Sequence, residues 1–245
     1  MFKDLHILPR ITGAVLDEYL AMGWYRMGQI IFTTDYLFKE EQYFRVFWLR
    51  YRMDLFRFSK KQEKLLNLPP GFTVTTTPLQ ITEELEALYK LYSTDLDFEI
   101  SPTLRENLFS LCFISSEEAP AYDSWVIEIR DQGKLIAAGI FDKGEKSRMG
   151  IINLYDPAYK KYSLGKRLIL LKLKESVESR LDYYYPGYIV LDYPKFDYKL
   201  DPGVTVCELY DPVSDRWLPY SPELMNQLKD LPEKPIDNSE SKLST

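Results

Sequence analysis

At Ser124 the chain changes rhythm, and the pattern that follows leaves few folds open. Trp125–Arg130 alternates apolar and polar residues as a strand does, Asp131-Gln132-Gly133 supplies a turn, and Lys134–Phe141 returns as the hairpin partner. Met149–Tyr155 is a third apolar strand, ending at Asp156-Pro157. From about Ser163 to Leu181, leucines 164, 168, 171 and 173 recur with Ile169 and Val177 on a face broad enough to lie on a sheet. Tyr184–Leu191 is the next strand. The helical crossover predicts that it runs parallel to the third, because tightly connected neighbours would be antiparallel. The expectation is an α/β chain with a mixed sheet and helices on both faces. Residues 124–191 should form one sheet, with the strands ending near Tyr155 and Tyr185 splaying at their C-terminal ends.

Upstream, Thr12 can cap a short helix carrying Val15, Leu16, Tyr19 and Leu20, with Gly23 at its end. Trp24–Thr33 is extended, and Tyr36–Phe58 is aromatic and basic. Tyr43, Phe44, Phe47 and Trp48 there could stack on nucleobases, but such residues more often form core. Ser59–Leu68 reads as a helix that stops at Pro69-Pro70-Gly71, the expected boundary between a small N-terminal α+β region (1–70) and the main domain (71–230). Thr82–Tyr92 is helical, and Ser101 with Pro102 should open another helix bearing Leu104, Leu108, Leu111 and Cys112. The polar, Pro- and Ser-bearing stretch 231–245 reads as a disordered tail.

Composition then removes whole classes of chemistry. His6 is the only histidine, so a His-based triad or metal site would hang on that one residue, and its apolar neighbours favour packing. Cys112 and Cys207 lack CxxC spacing and read as core thiols of a reducing compartment. No apolar run approaches the roughly 18 residues that span a bilayer, and the N-terminus does not read as a signal peptide, so the expected location is cytoplasmic with no membrane contact. The net charge of −6 is uneven: residues 24–67 carry nine Lys/Arg against five Asp/Glu, and 132–199 carry thirteen against eight. An anionic ligand would favour those blocks.

The stretch Lys160-Lys161-Tyr162-Ser163-Leu164-Gly165-Lys166-Arg167, between strand and helix, resembles the phosphate loop of the GNAT acetyltransferases, with Ser163 in place of the first glycine. Free amides at a helix start, with cations beside them, suit a phosphate. The wording is closer still to another family. Tyr155-Asp156-Pro157 leading to Ser163-Leu164-Gly165, and Tyr183-Tyr184-Tyr185-Pro186-Gly187-Tyr188 leading to Pro194-Lys195-Phe196-Asp197-Tyr198-Lys199, resemble arginyl- and leucyl-tRNA–protein transferases. So do Gly23-Trp24-Tyr25-Arg26-Met27-Gly28 and Arg50 with Ser59-Lys60-Lys61-Gln62, all in collinear order.

The resemblance implies transfer of arginine or leucine from aminoacyl-tRNA to the N-terminal amine of an acceptor protein, on a GNAT-like core, with no cofactor beyond the tRNA co-substrate. The alternatives are an acetyl-CoA-dependent N-acetyltransferase and a non-catalytic paralogue. The family's cysteine cluster falls on Glu40, Tyr43 and Val46, so no metal or cluster is expected there. Pro186 and Asp192-Tyr193 also depart from the family's wording. Asp156, at a strand's C-terminal edge, is the candidate base, and Tyr185 or Tyr188 could donate to the leaving 3′-hydroxyl. Lys160, Lys161, Ser163, Gly165 and Lys166 would hold the donor's phosphate. Arg26, Lys195 and Lys199 would read the acceptor's N-terminus.

Overall fold

A computed structural model describes residues 3–39, 41–96, 100–111, 114–115 and 120–229. The 231–245 stretch, Cys112 and Glu40 lie outside the described residues. The strands are β1 (Asp4–Ile7), β2 (Tyr25–Met27), β3 (Ile30–Thr33), β4 (Tyr36–Lys39), β5 (Gln42–Arg52), β6 (Phe72–Pro78), the two-residue pair β7 (Ser110–Leu111) and β8 (Ile114–Ser115), β9 (Ser124–Asp131), β10 (Lys134–Lys143), β11 (Ser147–Tyr155), β12 (Tyr183–Val190), β13 (Cys207–Asp211) and β14 (Arg216–Pro219). The helices are α1 (Gly13–Ala21), α2 (Lys60–Leu66), α3 (Glu83–Ser93), α4 (Leu104–Phe109), α5 (Leu164–Glu178) and α6 (Pro222–Lys229).

The main sheet has the order β14-β13-β5-β12-β11-β10-β9-β6, with β4 paired to β5. Among the pairings described, β11–β12 is the parallel one, which makes the sheet mixed as the crossover required. That pairing covers only Ser147–Met149 against Tyr183–Tyr185. β11 continues to Tyr155 and β12 to Val190 without meeting again, so the two strands part as expected and leave a cleft.

Alternation along β9 and β10 divides their side chains between two faces. Ile127, Ile129, Ile136, Ala137 and Phe141 pack with Leu164 and Leu168 of α5. Val126, Leu135, Ala138 and Ile140 pack with Leu85, Leu88, Tyr89, Leu104 and Leu108 of α3 and α4. Helices therefore cover both faces. Thr12, Ser59 and Thr82 each accept a backbone N–H at the start of α1, α2 and α3, which fixes where these helices begin.

Three expectations are corrected. Thr103, not Ser101, caps α4, because the Glu86 carboxylate takes the free N–H groups of Leu104 and Arg105 at 2.8 and 2.9 Å. Tyr43 is exposed at the β4–β5 hairpin tip against Phe38, whereas Phe47 and Trp48 are buried. Third, β5 precedes Pro69-Pro70-Gly71 yet lies between β12 and β13, so the sheet runs across that turn. α1 packs on a separate three-stranded sheet, β1-β3-β2, through Leu16, Leu20 and Ile31. His6 sits on its surface, 2.7 Å from the Tyr19 hydroxyl and tilted against Trp24. Cys207 is a buried core thiol.

Candidate active site

The cleft between the parted ends of β11 and β12 holds a cavity of about 600 Å³. Gly150, Ile152, Asn153 and Tyr155 form one wall, and Pro186, Gly187 and Tyr188 form the other. Gly165, Lys166, Ile169 and Lys172 of α5 form the floor, and Lys195, Phe196, Tyr198 and Lys199 come from the 3₁₀ turn Pro194–Lys199. Tyr25 of β2 reaches in, and its hydroxyl donates to the Gly150 carbonyl, a backbone group that β12 has ceased to pair. Among the described lining residues there is no carboxylate, while Lys166, Lys172, Lys195 and Lys199 supply four ammonium groups.

Two of these lysines sit where water is scarce. Lys199 Nζ donates to the Tyr188 carbonyl at 2.9 Å and lies 4.8 and 4.9 Å from the Tyr188 and Phe196 ring centroids. Burial lowers its pKa to about 7. Gly187 makes the position possible. Its φ of +105° suits glycine, and a Cβ there would come 3.2 Å from Lys199 Nζ. Lys172 is fully buried and ties α5 to the sheet, Nζ donating to Ile140 O at 2.7 Å and Ile152 O at 3.3 Å. Burial, with the charge of Arg148 second, lowers its pKa to about 7. Beside it the Asn153 side-chain oxygen is buried without a partner.

Of the expected site residues, the structure brings Tyr188, Gly165, Lys166, Lys195 and Lys199 to this cavity. Asp156 is elsewhere and otherwise engaged. It caps the turn Pro157–Tyr162, Oδ1 accepting from Ala158 N at 2.9 Å and Oδ2 from Lys134 Nζ at 2.8 Å. Burial alone would raise its pKa, but the bonds from Lys134 and Ala158 outweigh that and hold it below the usual carboxylate value. Such a group is a poor proton acceptor near pH 7. Tyr185 lies on the opposite face of β12, packed with Met149 and Trp217, its hydroxyl pKa raised by burial.

The remaining expectations divide similarly. Arg26 contributes to the cavity wall, but its side chain is only 1% exposed. It bonds Asp142 at 2.8 Å, Ser124 at 2.9 Å and the Gly28 and Leu108 carbonyls, contacts that brace β2 against β10. Ser163 is left-handed (φ 53°, ψ 44°) and makes no side-chain cap to α5, so the first amides of that helix are not closed by it. Lys160 is exposed and paired with Asp95 at 2.6 Å, and Lys161 lies 5.0 Å from the Tyr162 ring, both outside the cavity. Lys166 pairs with Asp201 at 3.1 Å on an open surface.

Tyr25, Asn153 and Lys172 are the site residues that sequence reasoning missed. Tyr25 lay inside a matched motif, but nothing in its spacing placed it over Gly150. Among the described residues no group of three His, Cys, Asp or Glu could hold a metal ion, and no helix is long and apolar enough to cross a membrane.

Comparison with known proteins falls on the same elements. The family described as arginine-tRNA-protein transferase, C terminus, matches residues 84–203, which carry β9 to β12, α5 and the lysine-bearing turn. An aspartate/glutamate leucyltransferase of Alcanivorax borkumensis is 28% identical over 152 residues, 61% of this chain and 61% of that protein. One of Helicobacter hepaticus is 25% identical over 209 residues, 81% of this chain and 80% of that protein. Arginyl-tRNA--protein transferase 1 of Saccharomyces cerevisiae is 35% identical over 91 residues, 37% of this chain and 18% of that protein. The chain thus spans about three fifths of the first relative and a small part of the yeast one. The match lies across the strands that open the cleft and the lysines that line it, so residues 84–203 of this chain are similar to the C-terminal part of the arginine-tRNA-protein transferase family.

Proposed function

We propose that this chain transfers an amino acid from its tRNA ester to the N-terminal amine of an acceptor protein, with the reaction in the β11–β12 cleft. The observation that carries the reading is the lining, four lysines and no carboxylate among the described residues, in the segment that the family match covers. Such a site attracts an anionic donor end, and the unclosed N-terminus of α5 beside Gly165 and Lys166 is the place for a phosphate. Lys160 and Lys161 extend the positive surface outside the cavity. Two of the relatives are named aspartate/glutamate leucyltransferases, and Lys195 suits an acidic first residue of the acceptor.

An aminoacyl ester is already activated, so the protein's task is orientation, proton movement and stabilisation of the oxyanion. The acceptor amine attacks the ester carbonyl carbon, forming the C–N bond, and the C–O bond to the tRNA 3′-oxygen then breaks. Lys199, neutral at about half occupancy near pH 7, takes the proton from the amine and returns it to the departing 3′-oxygen. Its value lies close to the roughly 7.7–8.0 of an N-terminal ammonium, which keeps the transfer nearly isoenergetic.

Binding tests the donor half of this reading. Charged tRNA should bind in low salt and weaken steeply as salt rises, since each phosphate contact releases counterions. Lys166→Ala and Lys195→Ala should each lower affinity and flatten the slope. Binding indifferent to salt and to both variants would contradict the assignment.

A further inference from the structure

As an amine adds to an ester, the carbonyl oxygen becomes an anion, and the site must hold a donor already aimed at it. Several donors of the cleft are engaged by the chain itself. Lys172 Nζ bonds the Ile140 and Ile152 carbonyls, Lys166 Nζ pairs with Asp201, and the Tyr25 hydroxyl donates to the Gly150 carbonyl.

Tyr184 is placed differently. It lines the cavity although only 2% of the residue is exposed. Alternation along β12 sends Tyr183 and Tyr185 to the Met149 side and Tyr184 to the α5 side, where it joins Leu170 and Leu173 and stacks on Tyr51 at 6.0 Å. Its hydroxyl occupies the space that a side chain at Gly150 would need, and Gly150 is the first residue of β11 past the last pairing with β12. Among the described residues none hydrogen-bonds that hydroxyl. Unlike the Tyr51 hydroxyl and the Asn153 oxygen, it is not sealed off either, so the little of Tyr184 that is exposed includes the hydroxyl at the cavity.

Burial raises the pKa of this hydroxyl well above that of free tyrosine, with the charge of Arg148 opposing, so at pH 7 it is a neutral donor. A buried donor without an acceptor in the chain is completed by one from a ligand. Tyr25 ties it to Lys199. Tyr25 Cζ and Lys199 Nζ lie 3.8 and 3.2 Å from the point a Gly187 Cβ would occupy, and the Tyr25 hydroxyl meets Gly150 beside Tyr184. The free hydroxyl and the lysine amine thus share one end of the cavity. We infer that Tyr184 donates a hydrogen bond to the carbonyl oxygen of the aminoacyl ester as it becomes an anion, a role that rests on the cleft performing acyl transfer. The tyrosine keeps its proton throughout, and the oxyanion returns to a carbonyl as the C–O bond to the tRNA breaks.

Tyr184→Phe removes the hydroxyl alone. Transfer at saturating substrates should fall about 10²–10³-fold with KM for the acceptor peptide unchanged, and the melting temperature should hold, because the hydroxyl bonds nothing in the chain. Tyr51→Phe, which removes the sealed hydroxyl of the stacked ring, should leave the rate as it is. An unchanged rate in folded Tyr184→Phe, a loss confined to KM, or an equal loss in Tyr51→Phe would overturn the inference. Calorimetry adds a readout without transfer. Its probes are adenosine 3′-esters of the α-aminophosphonate analogues of leucine and arginine, whose tetrahedral anion mimics the oxyanion, beside the planar 3′-aminoacylamido-adenosines. Tyr184→Phe should weaken the phosphonate that wild type binds by about 10²-fold and leave the amide unchanged. Equal phosphonate affinity in both proteins, or none in wild type, would count against Tyr184. Normal transfer by both proteins rejects Tyr184 and keeps acyl transfer in the cleft. Phosphonate binding that depends on Tyr184, in a wild type that transfers nothing, rejects acyl transfer and keeps Tyr184 as the anion's donor.

Discussion

Lys199, half-buried, holds its ammonium among the Tyr188 and Phe196 rings with the Tyr188 carbonyl as its partner, and desolvation there lowers its pKa to about 7. If it is the base, transfer rates should climb as pH rises through about 7, the value to which burial has brought it. Lys199→Met keeps the bulk and removes the lone pair, so the rate should fall by about 10²-fold and the climb near pH 7 should vanish. A variant with a lower rate but an unchanged pH profile would assign Lys199 to binding alone. Asp156 is the contrasting case, since its oxygens are engaged by Ala158 N and Lys134 Nζ. Asp156→Asn, still a good cap, should retain transfer, while Asp156→Ala should cost about 1 kcal/mol of stability. Rates and melting temperatures of both variants check this. A large rate loss in the folded Asn variant would restore Asp156 as the base.

At the scale of elements, two buried cations show how the strands and helices are tied. Arg26 of β2 and Asp142 of β10 join the small sheet to the large one out of contact with water. Arg26→Ala should cost about 3–5 kcal/mol, because it strands the buried Asp142 charge. Urea unfolding reads that loss directly, and a stable variant with only a raised KM would return Arg26 to the acceptor. Lys172 works through pH. Its pKa is about 7 in the folded chain and about 10.4 unfolded, so between those values the unfolded state binds more protons and stability rises with pH. At or below pH 7 the folded chain bears the full penalty of a buried charge. The melting temperature of Lys172→Met relative to wild type should therefore be most favourable near pH 6 and decline towards pH 10. A difference constant across that range would contradict the assignment.

Much of this architecture was legible. The β9–β10 hairpin and the crossover through α5 rest on local alternation and turn residues, so their order and the parting of β11 from β12 could be read directly. β5 could not be placed, because its aromatic run says nothing of which strands, from the far end of the chain, will flank it. Lys172 reads as an ordinary polar position on α5. It is buried because Gly139, which no periodicity singles out, leaves room where a Cβ would lie 2.9 Å from Lys172 Cε. Lys195 and Lys199 came from the family wording, whereas the unpaired Asn153 oxygen depends on neighbours that only the fold assembles.

Across the whole molecule, the parted strands place a lysine-lined cavity within the segment that the family match covers. The net charge of −6 comes from the acidic stretches 68–131 and 200–245, whose carboxylates are not among the described lining residues of the cleft, so overall acidity does not oppose an anionic donor. What remains is whether the cleft performs acyl transfer from tRNA. The direct measurement is transfer of labelled leucine or arginine from charged tRNA to peptides beginning with Asp, Glu, Lys or Arg, run beside labelled acetyl-CoA. The account predicts label on the N-terminal amine of the Asp and Glu peptides from one of the charged tRNAs, lost in Lys199→Met, and no acetylation. Acetyl transfer without aminoacyl transfer, or no transfer from either tRNA by the folded chain, would contradict it.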